Sequence, residues 1–295
     1  MTVSKVPTNA PLANAPMANA MSVDVEDYFQ VQAFAGFVNP ANWDSYASRV
    51  EANTDRILAQ FAAAGARGTF FTLGWVAERH PALIRRIVAA GHELASHGYG
   101  HQPVYSLSEA EFRADLTRAR IVLEDAGGVP VRGYRAPTFS MDARTPWAHQ
   151  VLAETGHTYS SSTFPIQHDL YGDPNGPRFP WRVPGLDLWE LPMSTVRLGG
   201  RNLPCAGGGY FRLLPYALFR LGLRRINAAD ARPGIFYFHP WEVDPGQPRM
   251  AQASSRARFR HYLNLGAMTG RLDRLLRDFA WDRIDRVFAD TLGVV

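Results

Sequence analysis

The chain has 295 residues, with 31 basic and 27 acidic side chains and a net charge of only +4. Hydrophobic residues make up 46% and charged residues 20%, as in a globular protein with a sizeable core. The arginines are interspersed with acids, which is typical of solvated helix faces and excludes a nucleic-acid-binding stripe. No run of about 18 apolar residues occurs, so the sequence predicts no membrane span. The single cysteine, Cys205, excludes an internal disulfide and a cysteine-rich metal site.

The first twenty residues repeat alanine, asparagine and proline and contain no apolar segment of the secretory kind. We therefore predict a disordered, dispensable extension over residues 1–20, followed by one domain over residues 21–295. The simplest compartment for such a chain is the cytoplasm.

Segments typical of strands and of helices alternate along the rest of the chain. Apolar and β-branched runs predict strands near 22–29, 67–73, 92–96, 131–137, 188–192, 235–242 and 286–288. Amphipathic patterns predict helices over 51–64, 81–90, 108–126, 144–155 and 268–280, and Ser108 with Glu111 forms a capping-box pattern. The alternation, without a detectable internal repeat, predicts a single α/β barrel.

Two histidines four residues apart, His97 and His101, follow the short strand 92–96. If this segment turns helically, positions i and i+4 share a face and both imidazoles can converge on one cation. Imidazole suits zinc and neighbouring transition metals, and two histidines leave room for a carboxylate and water. Two surface histidines in a glycine-rich loop are the alternative. Their position at a strand end favours the metal, because functional groups of parallel barrels gather there.

Other groups suited to metal binding or proton transfer also lie at predicted strand ends. Asp24, Glu26 and Asp27 crowd the end of the first strand, and carboxylates so close repel unless a cation or shared protons intervene. Arg135 ends a later strand, where it can orient a carboxylate or remain a surface cation. His239 lies in the late apolar run, where its strand-end position favours a site over an ordinary core histidine.

These segments occur in the order typical of polysaccharide deacetylases: Asp24–Asp27, Ser96–His101, Arg135–Pro137 and Phe238–His239. Over roughly residues 21–290 the chain resembles carbohydrate esterase family four, the NodB-homology group with a distorted (β/α)7 barrel. Its fuller motifs, including residues 259–264, are similar to the branch encoded beside exosortase-linked (PEP-CTERM) exopolysaccharide clusters. The resemblance implies a metal-dependent hydrolase that removes N-acetyl groups from amino sugars of an oligo- or polysaccharide.

The metal ligands implied by the resemblance are His97 and His101 with a carboxylate, for which we predict Asp27. The expected ion is Zn²⁺, with Co²⁺, Ni²⁺ or Mn²⁺ as alternatives. The family pattern uses neighbouring aspartates as base and ligand, whereas this chain offers three acids. We predict Asp24 as the base, and Glu26 remains the main rival for either role.

By the same resemblance, Arg135 orients the base and His239 is the general acid. The branch often has Tyr-Asp-Ser-Ser where this chain has Ser160 in place of the aspartate, so the carboxylate that tunes His239 is missing or replaced by another residue such as Glu242.

The expected partner is an N-acetylated glycan, with neither nucleic acid nor a membrane span involved. Its predicted contacts are Tyr134, Pro137 and Trp241. Two other functions remain open: an amidohydrolase of the same fold acting on a small cyclic amide or ureide, as allantoinase-like relatives do, and a non-catalytic carbohydrate-binding barrel.

Overall fold

A computed structural model describes residues 17–293 of the chain. The strands are β1 (Ala18–Val25), β2 (Thr69–Thr72), β3 (Glu93–Ser96), β4 (Gly133–Tyr134), β5 (Tyr159–Ser160), β6 (Trp181–Arg182), β7 (Trp189–Glu190), β8 (Thr195–Leu198), β9 (Arg201–Pro204), β10 (Ile235–Phe238) and β11 (Ala280–Asp282). The helices are α1 (Val50–Ala64), α2 (Gly74–Arg79), α3 (Pro81–Ala89), α4 (Glu109–Gly127), α5 (Ala148–Glu154), α6 (Gly208–Leu213), α7 (Tyr216–Ala229), α8 (Ser255–Tyr262), α9 (Leu265–Asp278), α10 (Ile284–Val287) and α11 (Ala289–Leu292).

One curled sheet forms the centre of the fold. Its parallel strands run in the order β10-β1-β2-β3-β4-β5-β7, with β6 added antiparallel at the β7 edge and β11 pairing with β1. Within residues 17–293, β7 and β10 do not pair, so the barrel stays open on one side. This arrangement of seven parallel strands confirms the predicted α/β barrel of the distorted (β/α)7 type. Because the strands are parallel, their carboxyl ends meet at one edge of the sheet.

Local sequence explains the main elements. Strands β2 and β10 consist of buried aromatic and β-branched residues, as expected for strands covered on both faces. Helix α1 ends at Gly65, which adopts a left-handed conformation with φ of 64°. Helix α4 begins with the predicted capping box, in which Ser108 and Glu111 each bond the other's backbone N–H.

The chain enters the sheet earlier than predicted. Strand β1 begins at Ala18, so residues 18–20 belong to the fold and not to a disordered extension. Asn19 is fully buried, and its Oδ1 accepts hydrogen bonds from the Gly234 N–H and the Asn227 amide. The rest of the predicted extension, residues 1–16, lies outside the described residues.

The C-terminal part differs more from the sequence predictions. The predicted strand at 286–288 is wrong: residues 284–287 form α10, and the last strand is β11, a few residues earlier. The helices α6, α7 and α8 and the separate antiparallel hairpin β8–β9 were not predicted. Across residues 17–293, no helix combines the length and apolar character needed to cross a bilayer.

Candidate metal centre and active site

A cleft of about 360 Å³ opens at the carboxyl end of the sheet. Asp24 and Glu26 reach it from the end of β1, His97 and His101 from the loop after β3, and His239 from the residue after β10. β10 pairs directly with β1, and β3 is separated from β1 only by β2, so the carboxyl ends of these strands bring the five side chains together. The structure thus gathers most of the predicted site residues in one place.

The histidine pair is held by a loop and not by a helical turn. Gly98 and His101 both have positive φ, at 72° and 52°, so the chain curls tightly between the two imidazoles. The carboxylate of Asp115 on α4 fixes this curl by accepting hydrogen bonds from the N–H groups of Tyr99 and Gly100. The two histidine rings consequently lie 5.3 Å apart between centroids. A non-glycine residue in a left-handed conformation is strained, and such strain is concentrated at functional sites.

Glu26, His97 and His101 form a three-residue group suited to a metal ion. Their candidate ligand atoms all lie within 4.8 Å of one another. Nδ1 of His97 lies 2.8 Å from the Arg135 carbonyl oxygen, which can only accept, so Nδ1 carries the proton and Nε2 is free to bind a metal. Burial lowers the pKa of His97 to about 4, which keeps this imidazole neutral at physiological pH.

The carboxylate of Glu26 completes the group. Its Oε1 accepts a hydrogen bond from the Trp241 indole N–H. Its Oε2 lies 2.6 Å from Nε2 of His101 but not in hydrogen-bonding alignment, so this buried oxygen has no hydrogen-bond partner among the described residues. Burial acts to raise the pKa of Glu26, but His101 and His239 outweigh it and hold that pKa well below its usual range. An ionised, buried and unpartnered oxygen beside two imidazoles fits a divalent cation.

The prediction of Asp27 as the third ligand is corrected by this geometry. Oδ2 of Asp27 accepts hydrogen bonds from the Ser48 hydroxyl and from the backbone N–H groups of Arg49 and Val50, at the start of α1. Both carboxylate oxygens of Asp27 are therefore occupied, since Oδ1 accepts from Tyr28 N–H. Asp27 thus anchors a helix start, and Glu26, its rival in the sequence, lies beside the two histidines in its place.

Asp24 and Arg135 form a fully buried ion pair at the floor of the cleft. Nη1 of Arg135 donates to Oδ1 of Asp24 at 2.6 Å and to the Ser22 hydroxyl at 2.8 Å. The other two guanidinium nitrogens, Nε and Nη2, donate to the carbonyl and hydroxyl oxygens of Ser161, respectively. Arg135 is thereby fixed on several sides and orients Asp24, in agreement with the predicted relation between them. Oδ2 of Asp24 is left facing the cleft, 4.0 Å from Nε2 of His239.

His239 is held by the residue three positions later in the sequence. Nδ1 of His239 donates to Oε1 of Glu242 at 2.7 Å, and Nε2 points into the cleft. Burial acts to lower the pKa of His239, but the carboxylates of Glu26, Glu242 and Asp24 raise it to about 9. At neutral pH the imidazole therefore carries a proton on Nε2 that can be transferred.

Glu242 is itself held in the ionised form by a buried arginine. Burial acts to raise the pKa of Glu242, but Arg212 and His239 lower it, and Nε of Arg212 donates to Oε2 at 2.7 Å. Arg212 is 1% exposed and also donates to the backbone carbonyls of Arg260, His261 and Leu263. The suggestion that Glu242 replaces a missing carboxylate beside His239 agrees with this contact. Ser160 lies elsewhere, bonded to Ser162.

Of the three predicted substrate contacts, only Trp241 lines the cleft. Tyr134 is 1% exposed and packs in the core against Phe112 and His157, so its predicted contact with substrate is wrong. Pro137 is also buried; it begins a short 3-10 turn whose next residues, Thr138 and Phe139, line the cleft in its place. Trp241 stacks between His239 and His261 while its indole holds Glu26.

Sequence reasoning missed Asp115 and Arg212, which support the site without facing its centre. Neither belongs to a local motif: Asp115 lies mid-helix in α4, and Arg212 lies in α6, 30 residues from the carboxylate it pairs with. The wrong prediction for Tyr134 could have been avoided from the sequence. Neighbouring residues of a strand point to opposite faces, so an inward Arg135 requires an outward Tyr134.

Family models match two adjoining parts of the chain. Residues 42–160 match the polysaccharide deacetylase model, and residues 161–289 match a model described as a domain of unknown function, DUF3473. His97, His101 and Arg135 lie in the first part and His239 in the second, whereas Asp24 and Glu26 precede both.

Curated relatives of the chain are deacetylases. A chitooligosaccharide deacetylase from Sinorhizobium fredii is 33% identical over 150 residues, covering 50% of this chain and 62% of the relative. A peptidoglycan-N-acetylglucosamine deacetylase from Bacillus cereus is 30% identical over 84 residues, covering 28% of this chain and 30% of the relative. The chain thus spans less than two thirds of the length of either relative.

Solved structures share the fold over nearly the whole chain. A candidate polysaccharide deacetylase from Mycobacterium smegmatis superposes with a TM-score of 0.60 and 24% identity, covering 98% of this chain and 95% of that one. PuuE allantoinase superposes with a TM-score of 0.58 and 18% identity, covering 98% and 99%. At these identities the structures establish the fold alone. Residues 42–160 are thus similar to polysaccharide deacetylases, and nearly the whole chain shares the fold of these solved structures.

Proposed function

We propose that this protein is a metal-dependent deacetylase that removes N-acetyl groups from amino-sugar residues of an oligo- or polysaccharide. The observation that carries the proposal is the convergence of Glu26, His97 and His101 beside the Asp24–Arg135 pair and the protonated His239. Amide hydrolysis needs an activated water, a proton acceptor for that water and a proton donor for the leaving amine. This cleft offers a separate group for each task.

Glu26, His97 and His101 would hold the cation. Two imidazoles and one carboxylate form the ligand set of catalytic zinc sites that leave a position open for water. A Zn²⁺ ion of this kind lowers the pKa of its water from 15.7 to about 7 and polarises a substrate carbonyl. Co²⁺, Ni²⁺ and Mn²⁺ are alternatives that accept the same ligand types.

The proton transfers fall to Asp24 and His239. Oδ2 of Asp24 accepts the proton of the attacking water, while the hydrogen bond from Arg135 to Oδ1 holds the carboxylate in place. Nε2 of His239 gives its proton to the sugar nitrogen as the carbon–nitrogen bond breaks, because its imidazole is charged at neutral pH. The two atoms lie 4.0 Å apart, so one can act on the water that attacks the acetamido carbonyl carbon while the other acts on the nitrogen that leaves it.

The substrate is proposed to be an acetylated glycan of exopolysaccharide synthesis. The curated relatives act, by their names, on chitooligosaccharide and on the N-acetylglucosamine of peptidoglycan, so an N-acetylated amino sugar is the shared chemistry. The resemblance of the motifs around Asp24 and His239 to the exosortase-associated branch supports the assignment to exopolysaccharide.

Metal content and acetate release test the proposal together. The purified protein should contain a divalent metal and release acetate from N-acetylglucosamine oligomers. His97→Ala and His101→Ala should lose both the metal and the activity while keeping the fold, and His80→Ala, outside the cleft, should keep both. A full metal complement in the His97 and His101 variants would contradict the ligand assignment.

The competing functions give different results in the same assays. Hydrolysis of a cyclic ureide such as allantoin without acetate release would identify an amidohydrolase of the allantoinase type. Glycan binding by a metal-free, inactive protein would identify a non-catalytic carbohydrate-binding barrel.

A further inference from the structure

A group of exposed leucines lies outside the cleft, on α7 and on the β8–β9 hairpin. Leu218 and Leu221 on α7 are 56% and 65% exposed, and Leu198 and Leu203 on the β8–β9 hairpin are 64% and 44% exposed. Single exposed leucines are ordinary, but contiguous apolar patches on a protein surface mark binding sites. These four leucines, with Arg201, Arg224 and Arg225 of the same two elements, are called the leucine–arginine face.

The hairpin and the helix form one continuous surface. The side chain of Val196 in β8 packs so closely on Gly222 of α7 that a Cβ added there would lie 3.2 Å from it. Leu203 pairs with Val196 across the hairpin, and Leu198 lies two residues further along the same strand, so all three share the hairpin face turned towards α7. Gly222 lies four residues after Leu218, so Leu218 is on the side of α7 that meets the hairpin, and Leu221 lies next to Leu218 on the helix surface.

The face is basic as well as apolar. Residues 195–204 and 213–229 contain five arginines and neither aspartate nor glutamate. One of these arginines, Arg220, forms an ion pair with Asp278. The other four arginines form no ion pair with any residue in the described range 17–293. Their charge is therefore available to an outside partner.

The face begins beside the entrance of the cleft. Leu213, the last residue of α6, lines the cleft and is 52% exposed. Helix α7 starts three residues later and precedes β10, whose carboxyl end carries His239. Because α7 runs back along the sheet before β10, its first turn, with Leu218, lies at the catalytic end of the barrel.

We propose that the leucine–arginine face docks the protein on the surface of an anionic lipid bilayer, with the leucines inserted between headgroups and the arginines on lipid phosphates. Exposed apolar side chains flanked by arginines are the combination that binds anionic membrane interfaces. A second copy of the chain fits less well, because a two-fold contact would bring two acid-free basic faces against each other. Docking in this way would place the cleft entrance close to the lipid surface.

Sedimentation with lipid vesicles tests the proposal without any substrate, so the result is independent of the proposed deacetylation. The full-length protein should sediment with vesicles containing phosphatidylglycerol and much less with phosphatidylcholine alone, and added salt should weaken binding. Arg224→Gln with Arg225→Gln should lower the partition coefficient by about 30-fold. Leu218→Gln with Leu221→Gln should lower it by at least about tenfold.

Matched controls lie on two other helices, α3 and α4. Ile121→Gln on α4 removes an apolar side chain that is 55% exposed, and is the control for the leucine variants. Arg85→Gln on α3 removes an arginine and is the control for the arginine variants. Both changes should leave vesicle binding unchanged. Thermal melts should show all variants folded.

Three outcomes would overturn the proposal. The first is failure of the wild-type protein to bind anionic vesicles at low salt. The second is an equal loss of binding in the control variants. The third is a dimer of the wild-type protein that the leucine variants dissociate, which would make the face a contact between two copies.

Discussion

The proton on His239 depends on Glu242, and this dependence can be measured. The pKa of His239 is raised from the ordinary 6.5 to about 9, a difference that corresponds to about 3 kcal/mol in favour of the charged imidazole. Because this pKa is raised, the protonated form is complete below neutral pH and is lost as the pH rises through about 9. Glu242→Gln removes one of the carboxylates responsible and leaves the Arg212 charge facing the imidazole without a counter-ion. We therefore expect the pKa of His239 to fall by at least about one unit in this variant, because an opposite charge in contact shifts a pKa by roughly 1–3 units.

The assay is an NMR titration of His239 in the metal-stripped protein, where no bound cation contributes to the pKa. Glu93→Gln is a matched control, because Glu93 is also a buried carboxylate but lies at the amino end of β3, where it accepts from Thr69 and Tyr159. In the metal-loaded enzyme, activity should fall at alkaline pH with a midpoint between pH 6.5 and pH 9. The cation offsets the charge of Glu26, which therefore raises the pKa of His239 less than in the metal-free protein. An unchanged His239 pKa in Glu242→Gln would refute the role given to Glu242.

Three other predictions concern the acids at the end of β1 and the strand itself. Asp24→Asn should retain its metal and substrate binding while kcat falls by about 10²- to 10⁴-fold, measured by elemental analysis and acetate release; a metal-free protein would contradict the base assignment. Glu26→Gln should lose the metal, whereas Asp27→Asn should keep it and instead lower the melting temperature, so the reverse pattern in elemental analysis and thermal melts would restore Asp27 as the ligand. A chain starting at Met21 should have a free energy of unfolding about 1–3 kcal/mol lower than that of the full chain, because losing Asn19 leaves the buried Gly234 N–H unpaired. An unchanged denaturation midpoint would show that this hydrogen bond contributes nothing to stability.

The sequence predicted the fold and the meeting of the site residues better than it predicted their exact contacts. His97, Arg135 and His239 each lie at the end of a recognisable strand, and the parallel arrangement then requires these strand ends to meet. The choice between Glu26 and Asp27 could not be made in this way. It depends on a turn immediately after β1 and on backbone donors at residues 49 and 50, more than 20 positions away.

The C-terminal half was harder to predict because its order comes from distant contacts. Arg212 is buried only because carbonyl groups of residues 260–263 and the carboxylate of Glu242 surround it. Helix α8 has few buried residues of its own, and the β8–β9 hairpin rests on α7 through Val196. Local periodicity carries little information about elements that are stabilised in this way.

Because the proposed catalytic groups are divided between the two family matches, we expect the segment 161–289 to be part of the active site and not an accessory module. A cut after residue 160 would leave His97, His101 and Arg135 on one fragment, and the proposed proton donor His239, with Glu242 and Arg212, on the other. The same cut would separate β10 from β1, so the fragment with Asp24 and Glu26 would also lose a strand that pairs beside them. Neither fragment alone could then carry out a turnover, and any activity recovered by mixing them would report reassembly of the sheet.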